Sequence, residues 1–285
     1  MWRSILVLLV VIVVVISICT LQTPSRKSEE LSLTSVVKRL GAVDSVYIAV
    51  VVDNHRDPER RCLSTWGLSI YVETEGVRIL FDTGPDPQIL LHNAEVLGVD
   101  LSRLTAVVIS HEHGDHVGGL EAIAEINSSI PIYIPAGMNL YAKRWVLDLG
   151  FSKVVEVVNT TIIAPGIAIV GQLYGPPYEQ ALAINLANRG LVVVVGCSHP
   201  GIVNIVEKAS RELGVKPYAV IGGLHLPSSL SIVRNVMSEL KRLGVEVVIP
   251  IHCSGDVAAE LASKLFGFNM SREGHVCSSI LFGDS

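Results

Sequence analysis

Ser110-His111-Glu112-His113-Gly114-Asp115-His116 places three imidazoles and the Asp115 carboxylate within six residues. The stretch directly follows the apolar run Thr105–Ile109 and directly precedes the helix-like Val117-Gly118-Gly119-Leu120, so it stands at the C-terminal end of a strand. His111 and His113 are two residues apart and can reach one metal ion together from a loop. Asp115 and His116 project differently and serve a neighbouring position. A merely solvated histidine-rich loop would not be this short, nor so closely held between apolar elements.

Working outward, other strand ends carry the same residue type. His199 follows Leu191–Val195 in Gly196-Cys197-Ser198-His199-Pro200-Gly201. His225 follows Tyr218–Ile221, and His252 follows Val245–Ile251. Asp82 ends Arg78–Phe81 in Phe81-Asp82-Thr83-Gly84, and Asp53-Asn54-His55 closes Val46–Val52. Ligands of α/β sheets gather at the carboxyl ends of strands, so this recurrence points to one convergent site. Asp53 and Asn54 either line its pocket or form an Asp-Asn turn. His225 is a ligand or substrate contact, with a structural role as the alternative. His92 and His275 read as structural, and Cys197 and Cys253 as packing beside the site.

From Val46 onward, short β-branched runs alternate with amphipathic stretches, the pattern of strands interleaved with helices. Further strands are expected at Leu68–Glu73, Ala106–Ile109, Ile132–Ile134, Ile167–Val170 and Ala181–Leu186. Helices are expected at Pro87–Leu97, Gly118–Ile126, Gly201–Leu213, Ser229–Leu243 and Asp256–Leu265. Turn chemistry at Glu75-Gly76 and Asn188-Arg189-Gly190 adds antiparallel hairpins, so the sheets are mixed. Asn159–Gly166 and Gly171–Glu179 read as loops, the second projecting around Gly175-Pro176-Pro177.

The chain of 285 residues, 49% hydrophobic, can bury the core of one large α/β domain at 45–285. Its net charge of -5 and lack of a dense Lys/Arg block exclude a nucleic-acid partner held mainly through phosphates and favour a small-molecule substrate. Ile5 to Leu21 is apolar except for Ser17 and Thr20. As a helix it would span about 26 Å, a little under a ~30 Å hydrocarbon core. Residues 1–22 therefore read as a membrane anchor, or as a signal segment leaving a secreted protein if cleaved. Residues 23–44 read as a tether. The five cysteines form no C-x-x-C pair, and Cys62 and Cys277 can pair in an oxidising space.

His111-Glu112-His113-Gly114-Asp115-His116, with Asp82 upstream and His199 and His252 downstream, resembles the metallo-β-lactamase superfamily. The resemblance covers about residues 46–285 and implies an αββα sandwich. It also implies that His111, His113 and His199 hold a first metal, that Asp115, His116 and His252 hold a second, and that Asp82 supports them. Val52-Asp53-Asn54, Trp66-Gly67-Leu68-Ser69, Gly196-Cys197-Ser198-His199-Pro200-Gly201-Ile202, Ile221-Gly222-Gly223-Leu224-His225-Leu226 and Ile251-His252-Cys253-Ser254-Gly255 resemble one branch of it. That branch includes the 7,8-dihydropterin-6-methyl-4-(β-D-ribofuranosyl)aminobenzene-5'-phosphate synthase of methanopterin formation. In one respect this chain departs from the superfamily. Many binuclear members bridge their ions with an aspartate between the third and last metal histidines, and no Asp occurs here from Cys197 to His252. His225 stands at the corresponding strand end, and a neutral imidazole bridges poorly.

One or two divalent ions are therefore expected, zinc first, with iron or manganese as alternatives. The expected chemistry is hydrolysis of a small-molecule ester or phosphoester by metal-activated hydroxide, with Asp115 orienting the water and shuttling its proton. The alternative is a synthase-like transfer that releases diphosphate from a pterin-methyl diphosphate. An iron redox enzyme and a non-catalytic metal-binding protein are lesser alternatives.

Overall fold

A computed structural model describes residues 40–283. The apolar run 5–21, with its reading as anchor or signal, lies outside the described residues. Among the described residues, no helix is long and apolar enough to cross a membrane. Residues 40–44, assigned above to the tether, are packed onto the body. Leu40 is buried, Val43 bridges Leu186, and the Gly41 carbonyl accepts from Asn185 Nδ2 at 2.6 Å.

Two mixed sheets form the body. The first comprises β1 (Ser45–Val52), β2 (Ser69–Thr74), β3 (Val77–Phe81), β4 (Ala106–Val108), β5 (Pro131–Pro135), β6 (Lys153–Val157) and β13 (Ser279–Gly283), in the order β13-β1-β2-β3-β4-β5-β6. The second comprises β7 (Thr161–Ala164), β8 (Ile167–Tyr174), β9 (Tyr178–Leu186), β10 (Gly190–Val195), β11 (Pro217–Gly222) and β12 (Val247–Pro250), in the order β12-β11-β10-β9-β8-β7. From β3 to β6, and from β10 to β12, neighbours run parallel, while the remaining pairs are antiparallel. Helices α1 (Pro87–Leu97), α3 (Leu120–Asn127) and α4 (Leu140–Asp148) cover the first sheet. Helices α5 (Ile202–Leu213), α6 (Leu230–Leu243) and α7 (Asp256–Phe266) cover the second. Two one-turn helices, α2 (Gly114–Val117) and α8 (Met270–Glu273), are also present among the described residues.

The strands of the first sheet are apolar on both faces because both faces are covered, and strand alternation sorts the residues. Ile48, Val50, Ile70, Val72, Ile79, Phe81 and Val108 join the core between the sheets. Their neighbours Ala49, Val51, Tyr71, Leu80 and Val107 pack under α1 and α3 with Leu90, Ala94, Leu120 and Ile123. The result is the four-layer arrangement of helices, two mixed sheets and helices that the sequence leads one to expect.

Three expectations need correction. The helix expected at Gly118–Ile126 is α3, which begins at Leu120, and a separate one-turn helix that was not expected, α2, precedes it and carries Asp115 and His116. Gly118 and Gly119 separate them by lying against the Pro85 and Thr83 carbonyls, where a Cβ would approach to 2.2 Å in each case. The loop expected at Gly171–Glu179 is a hairpin, in which β8 runs on to Tyr174 and β9 begins at Tyr178. A register shift between Val170 and Leu173 breaks the alternation that would have revealed it. Strands β6, β7 and β13 and helix α4 were not anticipated. These strands lie at sheet edges, and α4 fully buries only Val146, so neither yields a continuous apolar pattern.

Candidate metal centre

The parallel strand ends of the two sheets meet at one edge of the sandwich. Gly196, after β10, packs so tightly on Ser110, after β4, that a Cβ there would stand 2.2 Å from Ser110 Oγ. Buried Gln180 joins the sheets across this line, its Nε2 donating to the Ile109 carbonyl at 2.8 Å and the Tyr133 carbonyl at 3.1 Å. His111, His113, His116, His199 and His252 are brought together here, with ring centroids 4.2–5.0 Å apart along the chain of neighbours.

Two of the five donor sets among the described residues carry the expected ligands. Ligand atoms of His111, His113 and His199 lie within 4.8 Å of one another, and so do those of Asp115, His116 and His252. His111 Nε2 and His113 Nδ1 face each other at 3.1 Å. Asp115 Oδ2 lies 3.7 Å from His116 Nε2 and 3.4 Å from His252 Nε2.

Buried carboxylates aim these rings. Asp82 accepts from the Ser110 backbone N–H, from Ser110 Oγ and from His116 Nδ1, each at 2.7 Å. His116 thereby directs Nε2 into the site. Asp53, fully buried, accepts from the His252 backbone N–H at 2.8 Å and from His55 Nδ1 at 2.7 Å, so it holds a ligand-bearing turn rather than lining a pocket. Asn54 keeps a buried Oδ1 with no hydrogen-bond partner. Glu179, on β9, escaped the sequence reading. Its carboxylate accepts from the backbone N–H groups of Cys197, Ser198 and His199 at 2.8–2.9 Å and from His199 Nδ1 at 3.0 Å. A lone acidic residue in a loop-like stretch carries no signal of that role. Asp82, Ser198, His225 and His252 all adopt left-handed backbone, with φ of 45–64°. Such conformations cost on the order of 1 kcal/mol each and persist where the surroundings impose them.

Electrostatics keep the rings ready for a cation. Burial, followed by the neighbouring imidazoles, pushes His111 well below its ordinary value, so the ring is neutral and able to donate an electron pair. Burial alone would lower His116, but the Asp82 carboxylate outweighs it and holds that ring above its usual value. Burial likewise opposes ionisation of Asp115 and Glu179. Contacts with His252 nonetheless hold Asp115 down to about 2, and bonds from His199 and Ser198 hold Glu179 below its usual range. Both Nδ1 and Nε2 of His252 are buried without a hydrogen-bond partner. A cation at the Asp115–His116–His252 set would satisfy Nε2, and the donors fit zinc or iron.

Cys197 requires a correction, because it does more than pack beside the site. It is buried, its Sγ lies 3.3 Å from His116 Nε2, and it belongs to donor sets with His111 and His116, with His252 and Cys253, and with His199 and His225. Cys253 Sγ lies 3.7 Å from the Cys197 carbonyl oxygen. His225 is exposed at the mouth, its ring 4.6 Å from that of His199, and it is absent from the Asp115 set. Trp66 is 58% exposed, with its ring 4.8 Å from His252. His92 bonds the Arg61 carbonyl, and His275 the Val276 and Ser271 carbonyls, away from the centre.

With this geometry in view, the comparisons are specific. The chain is 28% identical to the 7,8-dihydropterin-6-methyl-4-(beta-D-ribofuranosyl)-aminobenzene-5'-phosphate synthase of Methanocaldococcus jannaschii, over 83% of this chain and 97% of that one. It resembles the crystal structure of Tm1679, described as a metal-dependent hydrolase of the beta-lactamase superfamily, with a TM-score of 0.66 and 26% identity over 84% of this chain and 99% of that one. It shares the fold of a diphosphatase from the PhnP family, with a TM-score of 0.53 and 17% identity over 84% of this chain and 97% of that one. Residues 67–252 match the model of the metallo-beta-lactamase superfamily, and the chain belongs to that superfamily.

Proposed function

We propose that this protein is a binuclear metal-dependent hydrolase of a small-molecule ester or phosphoester. The observation that carries the reading is the convergence of two donor sets, His111–His113–His199 and Asp115–His116–His252, at one sheet edge. Divalent ions in such a site acidify a water to a pKa of about 7 and polarise the bond under attack. His111, His113 and His199 would hold one ion, and Asp115, His116 and His252 the other. The Asp115 carboxylate orients the attacking water and accepts its proton. Asp82, Glu179 and Asp53 fix ring tautomer and direction, and His225 at the mouth contacts the substrate. The apolar run 5–21 would serve the catalytic domain at 45–285 as a membrane anchor or, if cleaved, as a signal segment.

A second reading is favoured by the likeness to the Methanocaldococcus jannaschii synthase and by Trp66. Its exposed ring beside His252 offers a stacking surface for a planar bicyclic substrate. In that reading the site binds a dihydropterin-methyl diphosphate, an aryl nucleophile attacks the methylene carbon, and diphosphate leaves with the bonding pair.

Metal analysis of the purified full-length protein, followed by assays on a generic phosphodiester and on a dihydropterin-methyl diphosphate with an aryl acceptor, separates the two. Two equivalents of metal with phosphodiester cleavage establish the hydrolase. Diphosphate release that requires the acceptor establishes the transferase. His111→Ala should abolish activity and reduce metal content together, and activity that survives metal loss would sink both readings.

A further inference from the structure

We infer that the Cys197 thiolate is a ligand shared by the two metal positions, occupying the place between them where this chain offers no aspartate. The inference rests on the binuclear reading above and makes the centre sulfur-containing. Three of the five donor sets in the described residues include Cys197, and these three draw on His111, His116, His199 and His252 from both metal positions.

Independent features point to a ligand here. His252 is fully buried with neither ring nitrogen hydrogen-bonded, and its ring belongs both to the Asp115 set and to the set containing Cys197. A buried imidazole with neither nitrogen bonded is destabilising unless a bound group completes it. The backbone around the sulfur is also fixed. Glu179 accepts from the N–H groups of Cys197, Ser198 and His199, which holds the Cys197 Cα in place beside the site. Room for the two sulfurs is provided by Gly223, where a Cβ would come within 2.6 Å of Cys253 Sγ and 3.2 Å of Cys197 Cα.

The chemistry follows from the donor type. Coordination transfers the Cys197 S–H proton to solvent and forms metal–sulfur bonds, with no change in oxidation state. A soft thiolate among imidazoles favours zinc or iron and disfavours magnesium, calcium and manganese, which prefer oxygen donors. It also supplies the negative charge that an imidazole from His225 would lack.

The test uses the full-length protein loaded with Co(II) or Zn(II), with metal content and spectroscopy as readouts independent of turnover. The expected result is two ions per chain, a near-ultraviolet thiolate-to-cobalt charge-transfer band, and a sulfur shell at about 2.3 Å from zinc by X-ray absorption. Cys197→Ser should lose the band and one of the two ions. Cys197→Asp should keep both ions without the band, and Cys253→Ser should keep the band. Two ions bound with no band or sulfur shell overturns the inference and leaves the binuclear reading standing. A band that survives Cys197→Ser and disappears in Cys253→Ser overturns it as well, by assigning the sulfur to Cys253. Failure to bind any ion overturns both. Should Cys197→Ser not fold, the wild-type spectrum and the other two variants still decide.

Discussion

The carboxylate of Glu179 accepts from both the backbone N–H and the ring Nδ1 of His199, at 2.8 and 3.0 Å. One buried group on β9 thus sets both the loop position and the tautomer of a metal-facing imidazole. It leaves Nε2 as the free donor.

Glu179→Gln keeps the shape but presents one carbonyl oxygen where two carboxylate oxygens now accept four N–H groups. We expect metal affinity to fall about 10–100-fold, as is usual when a partner orienting a ligand is lost. Titration of the metal-free protein with zinc, read by calorimetry, measures this. Unchanged affinity would mean that His199 is aimed by its backbone alone.

The same residue predicts an acid limb in stability. The folded value of Glu179 lies below its ordinary 4.5, so its contribution is fully present above that pH and is lost as pH falls through the folded value. Melting temperature of the metal-free protein should therefore drop as pH falls below 4.5, and the drop should be shallower in Glu179→Gln. Parallel acid limbs in the two proteins would contradict the assignment.

Asp82 accepts three hydrogen bonds in a fully buried setting, one of them from His116 Nδ1. Asp82→Asn cannot accept all three and sets an amide N–H₂ against donors. The expected outcome is weaker binding at the Asp115–His116–His252 position by roughly 10–100-fold, with the His111–His113–His199 position less affected. Metal content after dialysis at graded chelator concentration distinguishes one-ion from two-ion loss.

Cys62 and Cys277 are joined by a disulfide, with Cα atoms 5.9 Å apart and a sequence separation of 215. The bond ties the segment before β2 to the turn before β13 beside buried Val276. Cys62→Ser with Cys277→Ser should cost on the order of 2–5 kcal/mol by chemical denaturation, and a reductant should reproduce the loss in the wild type only.

Trp66 faces the site from an exposed position beside His252. With an aromatic substrate, Trp66→Ala should raise KM several-fold, corresponding to about 1 kcal/mol of lost stacking, with metal content unchanged. An unaltered KM for aromatic and aliphatic substrates alike would remove the ring from the binding surface.

The alternation of apolar strands with amphipathic helices made a layered α/β fold legible in the sequence, because strands buried on both faces must be apolar throughout, while the two-sheet sandwich came only as what the family resemblance implied. The histidines were legible for a related reason. His252 directly follows an apolar run, the His111–His116 cluster begins two residues past another and His199 stands four residues past a third, and that local pattern marks a strand end whatever the tertiary arrangement. Edge strands β6, β7 and β13 bury too little to leave such a mark.

What only the tertiary structure decided is which side chains stand between and behind those histidines. Glu179 and His199 are twenty residues apart, Cys197 and His116 eighty-one, and Asp53 and His252 one hundred and ninety-nine. No local periodicity connects such pairs, because their contact is set by the packing of one sheet on the other. Sequence order placed His225 at the strand end where an aspartate is absent, whereas the three-dimensional approach of β10 to β4 brings Cys197 Sγ to 3.3 Å from His116 Nε2. Local chemistry fixes what each strand end can offer, and long-range packing fixes which offers meet.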